Sequence, residues 1–229
     1  MTTLWERYCA ADRSVAETAA ACGRRREDVL LLPVSKTVTA ERISELYAHG
    51  VRCFGENRAA VLAEKAKQLP ADIEWHYIGP LQSNKVRKVV QVAAVIHSVD
   101  NAELLTRLER IAGEEGKNVR FLIEVSVSGE ASKGGVPLER LDELAALADE
   151  CGHAVWSGLM TMAPLAAPQL ELQEIFGRLA EERTRLEKRF FRKLPLLSMG
   201  MSGDYREAIA CGSTIVRLGT CIFREEDGR

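Results

Sequence analysis

At 229 residues and a formal net charge of -2, the chain suits one large domain and has no overall field to attract nucleic acid or an anionic membrane. Hydrophobic residues make up 46%, enough for a sizeable core, yet no apolar run approaches the roughly 20 residues of a membrane span. The first residues mix charges among alanines, unlike a secretory leader, so the expected location is the cytoplasm.

Thr3 and Glu6 form a capping box for a first helix that reaches Ala21 and stops at Gly23. Short apolar runs then alternate with amphipathic stretches. The predicted strands are Val29 to Val34, Val51 to Phe54, Glu74 to Ile78, Ala94 to His97, Val119 to Val127, Ala154 to Met160, Leu194 to Met199 and Thr214 to Leu218. Several are continuously apolar, as parallel strands buried on both faces should be. Between them, Thr39 caps a helix with Ile43, Leu46 and Tyr47 on one face. Asp100 and Glu103 box the helix of Leu104, Leu105, Leu108 and Ile111. Leu138, Leu141, Leu144 and Ala145 mark another. The longest helix runs from Pro168 to Phe190, with Glu174–Arg178 and Glu181–Arg185 spaced for surface pairs.

Eight strands alternating with helices predict a single (β/α)8 barrel, residues 1–229, with an open doubly wound sheet as the alternative. The chain ends shortly after the eighth strand, so the extra N-terminal helix is expected to cover the gap. Six cysteines, Cys9, Cys22, Cys53, Cys151, Cys211 and Cys221, include no C-x-x-C pair and no zinc spacing, and read as reduced, mostly buried thiols.

In such a barrel, function sits at the C-terminal ends of the strands. The first strand ends in Val34-Ser35-Lys36-Thr37, which places the Lys36 amine at the mouth as a nucleophile for an aldehyde. After the second strand, Asn57 of Phe54-Gly55-Glu56-Asn57 either faces a ligand or caps the next helix. His76 alternates with Trp75 and Tyr77, so register decides between a core position and a ligand contact. Ser198-Met199-Gly200-Met201-Ser202-Gly203-Asp204 offers glycine-freed amides, the Ser202 hydroxyl and a helix start, with Asp204 and Glu207 spaced as a capping box. Val216-Arg217-Leu218-Gly219-Thr220 offers a second set of amides. Barrels that bind phosphate frequently do so after strands seven and eight. Arg217 either reaches the ligand or sits in a barrel layer beside a carboxylate. A lysine facing a phosphate cradle suits a phosphorylated aldehyde or ketone. No P-loop, G-x-G-x-x-G after a strand, H-E-x-x-H or G-x-S-x-G motif is present.

Those segments, with His76-Tyr77-Ile78-Gly79-Pro80-Leu81-Gln82-Ser83-Asn84-Lys85, Ile96-His97-Ser98-Val99-Asp100, Gly158-Leu159-Met160 and Gly212-Ser213-Thr214, resemble the YggS/PROSC family of pyridoxal-phosphate homeostasis proteins. The resemblance implies a barrel like the alanine racemase N-terminal domain, with pyridoxal 5′-phosphate (PLP) held as a Schiff base on Lys36. It implies cofactor contacts from Asn57 beside the ring, from Ser202, Gly219 and Thr220 on the phosphate and from Arg217 at the pyridine nitrogen; His76 and Met201 complete the expected cofactor-binding set. The chain departs from the family pattern at Pro33, at Arg58-Ala59-Ala60, at Ser126 and at Arg224. The expected role is a monomeric carrier that supplies PLP-dependent apoenzymes and is not itself a committed enzyme. The alternatives are an amino-acid racemase-like enzyme and a Schiff-base aldolase.

Overall fold

The computed structural model describes residues 2–128 and 134–224. Among these, eight parallel strands build the sheet: β1 (Leu30–Pro33), β2 (Cys53–Glu56), β3 (Glu74–Tyr77), β4 (Val95–Val99), β5 (Val119–Ser126), β7 (Ala154–Met160), β8 (Leu196–Met201) and β9 (Ile215–Leu218). A two-residue strand, β6 (Val136–Pro137), pairs with the end of β5. The order is β1-β9-β8-β7-β5-β4-β3-β2, and its two ends meet where Ser35 N donates to Gly55 O at 2.8 Å. The sheet therefore closes into the expected (β/α)8 barrel and is not an open doubly wound sheet. The helices are α1 (Leu4–Ala21), α2 (Ala40–Ala48), α3 (Ala59–Gln68), α4 (Val86–Val90), α5 (Ala102–Glu114), α6 (Leu138–Asp149), α7 (Gln169–Phe190), α8 (Tyr205–Ala210) and α9 (Thr220–Phe223).

Alternation along each strand divides the molecule into two interiors. Phe54, Trp75, Ile96, Phe121, Leu197 and Val216 belong to the large core shared with the helices. Val95, Leu122 and Met160 form a small separate cluster on the other face, inside the barrel. Around that cluster the lumen is polar, with His76, His97, Glu124, Ser198 and Arg217 all buried.

The capping box of α1 forms as its sequence predicts: Thr3 Oγ1 accepts from Glu6 N at 3.1 Å, and Thr3 N donates to Glu6 Oε2 at 2.7 Å. The helix lies against the last elements of the barrel, where Arg7 Nε donates to Ile222 O at 2.8 Å and Ser14 Oγ meets Tyr205 Oη at 2.7 Å. It covers the region after the eighth barrel strand.

Other local expectations are corrected. Asn101, not Asp100, caps α5, because its Oδ1 accepts from Leu104 N at 2.9 Å. On α7 the ion pairs gather on buried Glu182, which meets Arg178 at 2.9 Å and Arg185 at 2.7 Å. Strand β8 runs on to Met201, two residues past the expected end. All six cysteines are free, but four are half-buried and two exposed, so they are not core thiols.

Candidate functional site

The C-terminal strand ends open onto a cavity of about 900 Å³ whose wall includes Lys36, Asn57, Met201, Ser202, Arg217, Gly219 and Thr220. Seven of the eight residues nominated from sequence thus share one space.

Lys36 follows β1 and is exposed at the rim. The backbone before it is tied down. Ser35 donates to Gly55 O from its amide at 2.8 Å and from its hydroxyl at 3.0 Å. Lys65 Nζ, buried on α3, donates to Ser35 O at 2.7 Å and pairs with Glu56 Oε2 at 2.6 Å. The other Glu56 oxygen accepts from Asn57 N at 2.8 Å and Arg58 N at 3.2 Å. One buried ion pair therefore fixes the loops that carry Lys36 and Asn57. Sequence reasoning missed this clamp. The available signal was Lys65 at i+3 from Leu62, on the buried stripe of α3.

Asn57 does not cap α3; that position belongs to Arg58. Its Oδ1 is buried at the cavity with no hydrogen-bond partner among the described residues. The loop after β3 presses close to its backbone, since a Cβ on Gly79 would lie 2.1 Å from Asn57 O.

Across the mouth, Gly200 has φ +95°, and a Cβ there would meet Ala208 Cβ at 2.7 Å. Glycine thus lets β8 turn tightly over α8. Asp204 does not box its helix; its carboxylate turns back to accept from Met201 N and pins the Met201–Gly203 turn. The amides of Ser202, Gly203, Gly219, Thr220 and Cys221 donate to no partner among the described residues. Such a double row of unspent N–H groups favours an anion.

Arg217 is buried in the lumen and lines the floor of the cavity. Its Nη1 donates to Ser198 O at 2.9 Å and Ser198 Oγ at 2.6 Å, and its Nη2 donates to Thr161 O at 3.0 Å. Burial lowers its pKa to about 10, against the attraction of Glu124 and Asp204. Glu124 is itself pushed up to about 7 by burial, with Asp100 adding to the shift and Arg217 opposing it.

His76 is not brought to the cavity. It lies deeper in the lumen, 1% exposed, with Nδ1 2.9 Å from His97 Nε2 and Nε2 3.3 Å from Glu74 Oε1. The parallel register pairs it with Val95, two residues below His97. Near it, Cys53, Glu74 and His76 bring three side chains of metal-ligating type within 4.8 Å, a grouping invisible to spacing along the chain. Arg120 already pairs with that carboxylate, and burial pushes the Cys53 thiol up to about 11, so it remains a neutral thiol.

Sequence reasoning also missed the apolar wall from the loop after β7, Met162, Pro164, Leu165 and Ala166. Two departures from the family pattern reach the site: Arg58 Nη2 donates to Lys36 O at 3.4 Å, and Arg224 lines the cavity.

An amine, an orphaned amide oxygen and an anion cradle around one cavity fit a phosphorylated aldehyde. Together they define a class, the parallel barrels that offer a lysine and a phosphate rim at one mouth. The chain belongs to the family described as alanine racemase, N-terminal domain, whose model matches residues 14–227, and within it to the pyridoxal phosphate homeostasis proteins. It is 40% identical to the pyridoxal phosphate homeostasis protein of Aquifex aeolicus, over 89% of this chain and 90% of that one. Among solved structures, PipY of Synechococcus elongatus PCC7942 with PLP bound superposes with a TM-score of 0.81 at 36% identity, covering 92% of this chain and all of that one. Alanine racemase of Clostridium difficile shares the fold, with a TM-score of 0.73 at 14% identity, over 95% of this chain and 57% of the racemase.

Proposed function

We propose that this chain binds PLP at the barrel mouth, with Lys36 as covalent anchor, and serves cofactor homeostasis as a carrier. The observation that carries the reading is that Lys36 shares one cavity with the amides after β8 and β9 and with Asn57 Oδ1, which have no partner among the described residues. PLP supplies an aldehyde that condenses reversibly with an amine, releasing water. Ser202, Gly219 and Thr220 hold its phosphate, Met201 flanks it, Asn57 lies beside the ring and Arg217 faces the ring nitrogen. His76 acts one layer away, through His97. The names of the curated relatives and the PLP bound in PipY support this reading.

A carrier is favoured over a racemase-like enzyme. The Arg217 cation opposes protonation of a nearby ring nitrogen, which weakens the cofactor as an electron sink. Besides Lys36, the ionisable lining residues are Asp204, Arg217 and Arg224 among the described ones, and Asp204 is committed to Met201 N. A two-base reaction needs a second acid or base opposite the lysine. On this reading the chain acts as one unit and a monomer, in the cytoplasm, handing PLP to apoenzymes. No helix among the described residues is long and apolar enough to cross a membrane.

The test is direct. Purified protein incubated with PLP turns yellow and keeps its colour through desalting, whereas Lys36→Ala loses it. A wild-type protein that stays colourless overturns the assignment.

A further inference from the structure

A continuous hydrogen-bonded string crosses the barrel lumen. It starts at Glu74 on β3, which Arg120 Nη2 also contacts, and runs through His76 and His97 to Ser198 Oγ, 2.9 Å from His97 Nδ1. It ends at Arg217 Nη1, 2.6 Å from that hydroxyl. The ends differ in chemistry. An ionised carboxylate only accepts, and a guanidinium only donates. Glu74 is held down to about 2, first by its bond to His76, so it is ionised. Both histidines are buried and their pKa values lowered by desolvation, so both are neutral.

These constraints leave one arrangement. His76 must present Nε2–H to Glu74, because a bare Nε2 would set its lone pair against a carboxylate. Its Nδ1 then accepts, so His97 must donate from Nε2. His97 Nδ1 in turn accepts the Ser198 hydroxyl proton. That fixes the Ser198 lone pairs toward Arg217. Every donor points the same way, from the cation to the anion, and such aligned chains polarise one another. Arg217 makes no ion pair within 4.0 Å among the described residues, so the string links it to a carboxylate at the opposite end of the lumen.

We propose that Glu74, His76, His97 and Ser198 form a one-directional chain that orients Arg217 toward the ring of the bound cofactor, which makes Glu74 a positioning residue although it lies outside the cavity. This rests on the assignment of Arg217 to the ring nitrogen. Nη1 and Nη2 are held by Ser198 and Thr161, which fixes the guanidinium at the floor of the cavity.

The experiment uses 15N-labelled full-length protein, free and loaded with PLP. Long-range proton–nitrogen spectra distinguish imidazole tautomers, and exposed His49 and His153 serve as internal references. His76 and His97 are expected to show Nε2–H with a bare Nδ1. Glu74→Ala removes the terminal acceptor. It is expected to abolish that pattern at His97, to shift the visible band of the bound cofactor, and to raise the PLP dissociation constant about fivefold. Ser198→Ala, which cuts the string beside Arg217, shifts the band likewise. Glu74→Gln keeps an acceptor oxygen and restores pattern and band. An Nδ1–H tautomer on either buried histidine overturns the chain, as does a band unchanged in both alanine variants. A wild-type protein that takes up no PLP overturns the binding assignment, and with it this role for Arg217.

Discussion

At the scale of single residues, Asn57 separates a ligand role from a structural one. Its Oδ1 is buried without a partner among the described residues, a state that costs roughly 1–3 kcal/mol. A bound cofactor beside it is the natural recipient of that unused polarity. Asn57→Ala is therefore expected to leave the stability of the free protein unchanged or slightly raised, while weakening PLP binding about tenfold. Denaturant titration and equilibrium binding measure the two halves separately. A loss of stability with unaltered affinity would reassign Asn57 to the scaffold. Lys36, Ser202, Gly219 and Thr220 were legible in the sequence because each sits at a strand end, and strand ends follow from local hydrophobic runs. The burial of Asn57 Oδ1 was not legible, since it is set by how the strand-end loops pack around the mouth and not by the local sequence.

At the scale of elements, the Lys65–Glu56 pair joins α3 to the loops after β1 and β2. Both charges are buried, so removing one strands the other. Lys65→Met is expected to lower the unfolding free energy by about 3–5 kcal/mol and to weaken retention of PLP, because the backbone of Lys36 and Asn57 loses its common tether. Urea unfolding with a parallel colour assay tests both effects. A variant of wild-type stability would show that solvent reaches the pair. Nothing in the sequence analysis singled out Lys65; only the docking of α3 against the barrel brings Nζ to Ser35 O and Glu56. The capping shift from Asp100 to Asn101 is a smaller case of the same limit, since adjacent residues compete for one cap and the chain path decides between them.

At the scale of the whole molecule, the polar lumen gives the fold a pH dependence. His76 and His97 are held neutral in the native state, below the ordinary value of 6.5. They face Glu74, Arg120, Arg217 and each other. The unfolded chain takes up protons there below pH 6.5 and the native chain does not, so stability falls as pH drops through that value. Glu124 works in the opposite direction. Its native value of about 7 lies above its ordinary 4.5, so between these values the native state holds the extra proton and stability rises as pH falls. With the opposing carboxyl removed in Glu124→Gln, the unfolding midpoint is expected to decrease as pH falls from about 6.5 to about 5, and the wild-type profile to be flatter. Urea unfolding across this range checks both, and a flat profile in both proteins would mean that the lumen is hydrated.

By itself the sequence determined the architecture and the two sides of the mouth. Apolar periodicity distinguishes buried strands from amphipathic helices, and position after a strand puts Lys36 opposite two glycine-rich turns, all properties of short segments. Only the tertiary structure decided what fills the lumen. His97 and Ser198 are 101 residues apart in the chain and 2.9 Å apart in space. Whether His76 faces a ligand or a second histidine is set by strand register and barrel closure. Hydrogen bonds of that kind arise from the packing of distant strands, and no local pattern of residues encodes them.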